Sequence, residues 1–287
     1  VKPKVSILLA AYKSKEMLRD IFVPSFKENS EVPTELLIYD NGGNGDLTDP
    51  EVLDEVFGKD RGSYDIKILG SGGNDGLNVA LNACAVAAKG DWFYLLHTDM
   101  YLLPGYDSAL LEAAKNQFPE SVLLCSRSIE KHSHVPTQCL RDFGTDLESF
   151  DKKGLYDFLE NYTDTGLVTS YRMPFFMHKS LAHKMSLFNH QNKVCEGPFD
   201  PKLFSFGTDN DLFFTAYKGV GVRKFWMARS SVVYHLSGHS NNQQTVDKDD
   251  PAPYEYLVEK WKKLGLDITL NMDESEKRLV PWGVVIK

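Results

Sequence analysis

The chain has 287 residues, 42% of them hydrophobic and 25% charged, with a net charge of -8. That length and balance suit one large domain or two intimate halves with ample core. No Lys/Arg cluster of the kind that tracks a phosphate backbone is present, which argues against nucleic acid as a partner. An apolar run of the ~18 residues needed to span a bilayer is missing too, so no transmembrane segment is expected. Val1 leads almost directly into a strand instead of a signal peptide. Cys84, Cys125, Cys139 and Cys195 are widely spaced without a Cys-x-x-Cys pair, so free thiols are expected. The setting this implies is cytoplasmic and reducing, in solution or at a membrane surface.

Lys4-Val5-Ser6-Ile7-Leu8-Leu9-Ala10 reads as a first strand. A helix through Met17, Leu18, Ile21 and Phe22 follows, which Pro24 should end or kink. Glu35–Asp40 is a second strand, closing on the turn signal Asn41-Gly42-Gly43-Asn44-Gly45-Asp46. Asp65–Leu69 is a third. The next helix starts near Asp75, with Leu77, Ala80, Leu81, Cys84 and Ala88 on one face and Gly90 as its cap. Then Phe93-Tyr94-Leu95-Leu96 runs into His97-Thr98-Asp99, an apolar strand ending in a carboxylate.

After Pro104, a helix near Ser108–Asn116 and a strand Ser121–Ser126 continue the alternation. Ile129 to Gly166 is polar and hard to assign, and a stretch of that length is more often functional than incidental. Tyr171–Met177 reads as a strand, Ser180–Phe188 and Asp209–Tyr217 as helices, Val222–Trp226 and Ser231–Tyr234 as strands. An amphipathic helix lies around Tyr254–Leu264. Strands alternating with helices predict a parallel α/β sheet with right-handed crossovers.

Ligands in such sheets sit beyond the carboxyl ends of the strands. Ala11-Tyr12-Lys13, Asp40-Asn41-Gly42, Asn74-Asp75-Gly76 and His97-Thr98-Asp99 should meet there. They supply a ring to stack on a base, carboxylates, and small residues that allow close approach to phosphates. The Gly-x-Gly-x-x-Gly fingerprint and the Gly-Lys-Ser/Thr phosphate loop are both absent. Asp99 suits a divalent cation held against a phosphate, and equally a cap for the next helix. Thr208-Asp209-Asn210-Asp211 opens a helix, where one residue serves as N-cap and at least one acid remains for other work. His235, ending a β-branched strand, is placed like a metal ligand, although a loop-bonded histidine would look the same.

Together these residues resemble a family 2 glycosyltransferase of the GT-A fold, over most of residues 4–240. Val5–Lys13 stands at that family's opening strand and turn, and Asp40 at its base-binding carboxylate. Asn74-x-Gly76 with Ala80 and Asn82 resembles its Asn-x-Gly-x-x-x-Ala-x-Asn helix start. His97-Thr98-Asp99 takes the place of Asp-x-Asp. Glu196-Gly197-Pro198-Phe199-Asp200 and Thr208-Asp209-Asn210-Asp211-Leu212 resemble Gly-Gly-Phe-Asp and Glu-Asp-x-Asp-Leu. His235-x-x-Gly238-x-Ser240 resembles a late His-x-x-Gly-x-Ser. Three departures stand out: His97 for the first Asp, Thr208 for a Glu, and Leu81 for a common Arg.

The resemblance implies a Rossmann-like nucleotide-binding sheet with helices on both faces, an acceptor-side half and a C-terminal extension. Residues 1–103 form the nucleotide-sugar half, 104–245 the acceptor half with an insertion at 129–166, and 246–287 the extension. It implies a metal-dependent, inverting hexosyltransferase-like enzyme that uses a nucleoside diphosphate sugar, a UDP-sugar first. The acceptor is a glycan, lipid-linked or other hydroxyl. Asp99 and His235 hold Mn2+ or Mg2+. Ala11, Tyr12, Asp40, Asn74, Gly76, Asn78, His97 and Thr98 bind the donor, and Asp209 or Asp211 is the base. The insertion, with His132, His134, Tyr156, Phe158 and Tyr162, is expected to wall the acceptor. Two rival readings are a sugar-nucleotide nucleotidyltransferase, which lacks its Gly-rich basic loop here, and a carbohydrate-binding relic without turnover.

Overall fold

The computed structural model describes residues 2–44, 47–60, 64–70, 72–132, 137–236, 252–273 and 278–286. Among them a central ten-stranded sheet comprises β1 (Val5–Ala11), β2 (Thr34–Asp40), β3 (Asp65–Leu69), β4 (Trp92–Leu96) and β5 (Met100–Leu102). It continues through β6 (Val122–Glu130), β7 (Cys139–Leu140), β8 (Leu167–Thr169), β9 (Phe175–His178) and β10 (Lys224–His235). The main order is β3-β2-β1-β4-β9-β6-β10-β5.

The first four strands run parallel, as expected. The rest corrects the expectation of a wholly parallel sheet. β9 enters antiparallel between β4 and β6, and β5 lies antiparallel on β10. β6 and β10 nevertheless run parallel to each other, so the ends of β4, β6 and β10 share one edge.

Both faces are covered, which is why β1 and β4 read as unbroken apolar runs. Ile7 and Leu9 pack with Phe22, Phe26, Tyr106 and Leu110 on one side. Leu8 packs with Ala80, Leu81, Cys84, Met185 and Leu212 on the other. Pro24 does not end its helix. The chain widens into a π turn over Leu18–Phe22 and resumes as the Val23–Asn29 helix, with the proline in its first turn where no N–H is needed. The two strands expected around Val222 and Ser231 are one, β10, with a register shift between Ala228 and Val232.

The insertion is more ordered than its sequence suggests. A helix at Lys152–Leu159 places Leu155 against Tyr101, Ile129 and Tyr234, with Phe143, Phe150, Tyr156, Phe158 and Tyr162 around them. These rings prop the back of β5 and β10. Of the residues expected to wall the acceptor, Tyr156, Phe158 and Tyr162 are partly buried in this cluster, His132 is exposed and His134 lies outside the described residues.

Candidate active site

The loops after the parallel strands interlock through Asn44. Its side-chain N–H groups donate to the Ala11 carbonyl (2.9 Å) and to Asp40 Oδ1 (2.7 Å), and its Oδ1 accepts from the Ser14 N–H. Asp40 Oδ1 also accepts from the Gly42 N–H at 3.0 Å, which fixes the carboxylate at the strand end. Ala11 offers only its backbone. Tyr12 stands half-buried beside it, with the Lys13 ammonium 5.1 Å from the ring centroid.

Asn74 is exposed, and the neighbouring Asp75 accepts from Tyr39 Oη at 2.6 Å. Gly76 has φ +91, and a Cβ there would lie 2.7 Å from the Phe204 ring, so only glycine lets the two loops meet. Asn78, expected at the donor, is buried and donates to the Asp200 carbonyl at 2.7 Å. It ties the Leu77–Ala87 helix to the 200 loop. Asn82 does the same reciprocally with the Phe199 backbone.

At the end of β4, one antiparallel pairing sets His235 opposite Met100, and the Leu236 N–H donates to the Asp99 carbonyl at 3.0 Å. Residues distant in sequence thereby become neighbours. His97, Asp99 and His235 offer ligand atoms that all lie within 4.8 Å of one another. Asp99 and Thr98 are buried at the strand end. His235 Nε2 is 3.5 Å from Asp99 Oδ1, and its Nδ1 is 3.2 Å from Glu130 Oε2. Burial opposes the His235 imidazolium, but the two carboxylates outweigh it and push the group up to about 9. Burial holds His97 below its ordinary value, against the pull of Asp99 and Asp209.

The two candidate bases part company. Gly207, in the left-handed region, starts the Thr208–Phe214 helix, and its missing Cβ makes room for Leu257, which a Cβ would meet at 2.8 Å. Asp209, in the first turn, is exposed, and its backbone carbonyl accepts from Tyr171 Oη. Asp211 faces away into the Ala252–Lys263 helix. Its oxygens are 2.7 and 2.8 Å from Lys260 Nζ, and Trp261 Nε1 donates to it at 2.8 Å. Lys260 also reaches Asp200 at 2.9 Å, and Tyr256 Oη donates to Asp200 at 2.7 Å. Burial raises the Asp211 carboxyl, with Lys260 pulling the other way.

Glu130, Asn44 and Lys260 were not singled out from the sequence. For Lys260 a signal existed: it falls in the Leu257–Trp261–Leu264 apolar stripe, where a lysine needs a buried partner. Leu81, at the position of a common family Arg, is simply core. Gly238 and Ser240 lie outside the described residues.

The mixed, mostly parallel sheet with helices on both faces matches that of GT-A glycosyltransferases. The model described as glycosyl transferase family 2 matches residues 6–182, and the chain belongs to that family. S. aureus TarS 1-349 superposes with a TM-score of 0.58 at 12% identity, covering 96% of this chain and 68% of that one. The same fragment in complex with UDP-GlcNAc gives 0.55 at 12%, with 96% and 69% covered. GalNAc-T7, crystallised with UDP, GalNAc and Mn2+, gives 0.60 at 15%, with 91% of this chain and 50% of that one. At such identities the likeness is one of fold, and this chain spans about half the length of GalNAc-T7. Comparison with curated protein sequences gives no match. No helix among the described residues is long and apolar enough to cross a membrane.

Proposed function

We propose that the chain is a metal-dependent, inverting glycosyltransferase that moves a sugar from a nucleoside diphosphate sugar, a UDP-sugar first, to an acceptor hydroxyl. The observation that carries this reading is the convergence of His97, Asp99 and His235 at the edge where the Tyr12 and Asp40 loops also end. One carboxylate and two imidazoles form a mixed oxygen–nitrogen set, which fits Mn2+ better than the all-oxygen preference of Mg2+. A cation held there would offset charge on the departing nucleoside diphosphate.

The chain's own residues supply the rest. Asp40 accepts from a ring N–H of the base and Tyr12 packs near the ring. Thr98 and Asn74 line the path of the diphosphate and sugar. Asp209, exposed at the acceptor side, takes the proton of the attacking hydroxyl. That oxygen attacks the anomeric carbon opposite the leaving group, which inverts configuration without a covalent intermediate. Residues 1–103 serve the donor and 104–245 the acceptor, with the C-terminal helix as a prop beneath the base.

A panel of nucleotide sugars, each with Mn2+ and then with a chelator, tests the reading through nucleoside diphosphate release. Slow hydrolysis of one donor, abolished by the chelator, is the expected result. Donors that all stay intact would leave a carbohydrate-binding relic instead.

Proton and cation should compete at His235. With its pKa at about 9, above the ordinary 6.5, the metal-free ring is charged at neutral pH. Apparent Mn2+ affinity should therefore rise by about tenfold per pH unit between 7 and 9, then level off. The proton's contribution to metal-free stability has the opposite sign. It is complete below pH 6.5 and lost as pH rises through about 9. Calorimetric titration of Mn2+ across this range checks both, and a flat affinity profile removes His235 from the ligand set.

A further inference from the structure

Glu130 closes β6 at the same edge as Asp99 and His235, and it is fully buried. Parallel pairing of Tyr234 with Ile129 sets it beside His235. Its Oε2 lies 3.2 Å from His235 Nδ1 and 3.2 Å from Arg172 Nη2. The other ring nitrogen, Nε2, looks the opposite way, toward Asp99. The two nitrogens of one ring thus face two different carboxylates. When Nδ1 donates its N–H to a carboxylate, Nε2 is left with its lone pair. Burying a carboxylate is costly unless it is paired, and Arg172 supplies a positive charge that persists when His235 is neutral.

On the metal-dependent reading above, we propose that Glu130 is a positioning residue. It accepts from His235 Nδ1 and so fixes the ring's tautomer and orientation, presenting Nε2 to a divalent cation beside Asp99. Arg172 in turn holds Glu130 in place. Glu130 touches neither donor nor acceptor, and its whole effect passes through His235. An ion pair serving the fold alone would need only Arg172. Sharing one oxygen between Arg172 and the imidazole is what ties Glu130 to the site.

The test is calorimetric titration of Mn2+ alone into the full chain, for wild type, His235→Ala, Glu130→Gln and Glu130→Asp, with thermal melting as the fold control. Glutamine can turn an N–H toward Nδ1 and release the other tautomer, and aspartate shortens the arm by one methylene. Each should weaken Mn2+ binding by about 10–100-fold, as loss of a carboxylate behind a ligating histidine does. If Glu130→Gln fails to fold, Glu130→Asp carries the test. Wild-type affinity in a folded Glu130 variant, with His235→Ala impaired, overturns this inference alone. A wild type that takes up no Mn2+ overturns the metal-dependent reading and this inference with it.

Discussion

Asp99→Asn is expected to abolish sugar transfer, by about 10³-fold or more, while the protein melts as a folded domain. The substitution keeps the shape of a buried side chain but removes the one carboxylate of the His97–Asp99–His235 cluster. Charge stabilisation of a leaving group at such a site is worth several kcal/mol, and each 1.36 kcal/mol is tenfold in rate. His235 keeps Glu130 as a partner, so the fold loses only part of what holds that ring. The measurement is donor turnover with saturating Mn2+, alongside a melting curve. Mn2+-dependent transfer at wild-type rate in the variant would sink the assignment.

The second large effect separates Asp209 from Asp211. Asp209→Asn should cut transfer by about 10²–10⁴-fold, the usual contribution of a positioned base, and leave nucleotide affinity unchanged. Asp211→Ala should do the reverse. It leaves Trp261 Nε1 and part of the Lys260 ammonium without their acceptor in a buried place. Breaking one partner out of a buried ion pair costs about 3–5 kcal/mol, which lowers the melting temperature by several degrees while folded molecules still turn over. Loss of chemistry in Asp211→Asn with an unaltered melt, and normal transfer by Asp209→Asn, would exchange the two roles.

What the sequence made legible follows from burial. β1, β2 and β4 are covered on both faces, so they stand out as apolar runs, while the edge strand β3 shows as the alternation Asp65-Ile66-Lys67-Ile68; the loops at their ends could be placed together from those patterns. β6 was expected to stop at Ser126, yet it runs on through Arg127, Ser128 and Ile129 to Glu130. Hydrogen bonds hold part of its polar stretch in place: Ser126 Oγ bonds Tyr94 and Ser231, and the Ser128 backbone N–H donates to Gln138. Hydrogen bonds of that kind erase the apolar signature of a strand, and Glu130 was hidden with it. β10 was split in expectation because Arg229 and Ser230 interrupt its pattern at the register shift. Asp99 and His235 could be named from the sequence. Their closeness rests on the β5–β10 pairing, which no local pattern encodes.

The buried ammonium of Lys260 serves two carboxylates, Asp200 and Asp211, one on each side of the loop that leads to Asp209. Such an arrangement constrains descent as well as structure. Losing the lysine strands two acids in the core, and losing either acid changes the charge the lysine must balance. The three positions can therefore drift only in concert. In related sequences the acidic pair should be found wherever the lysine-bearing C-terminal helix is found, and hydrophobic replacements should occupy all three places together.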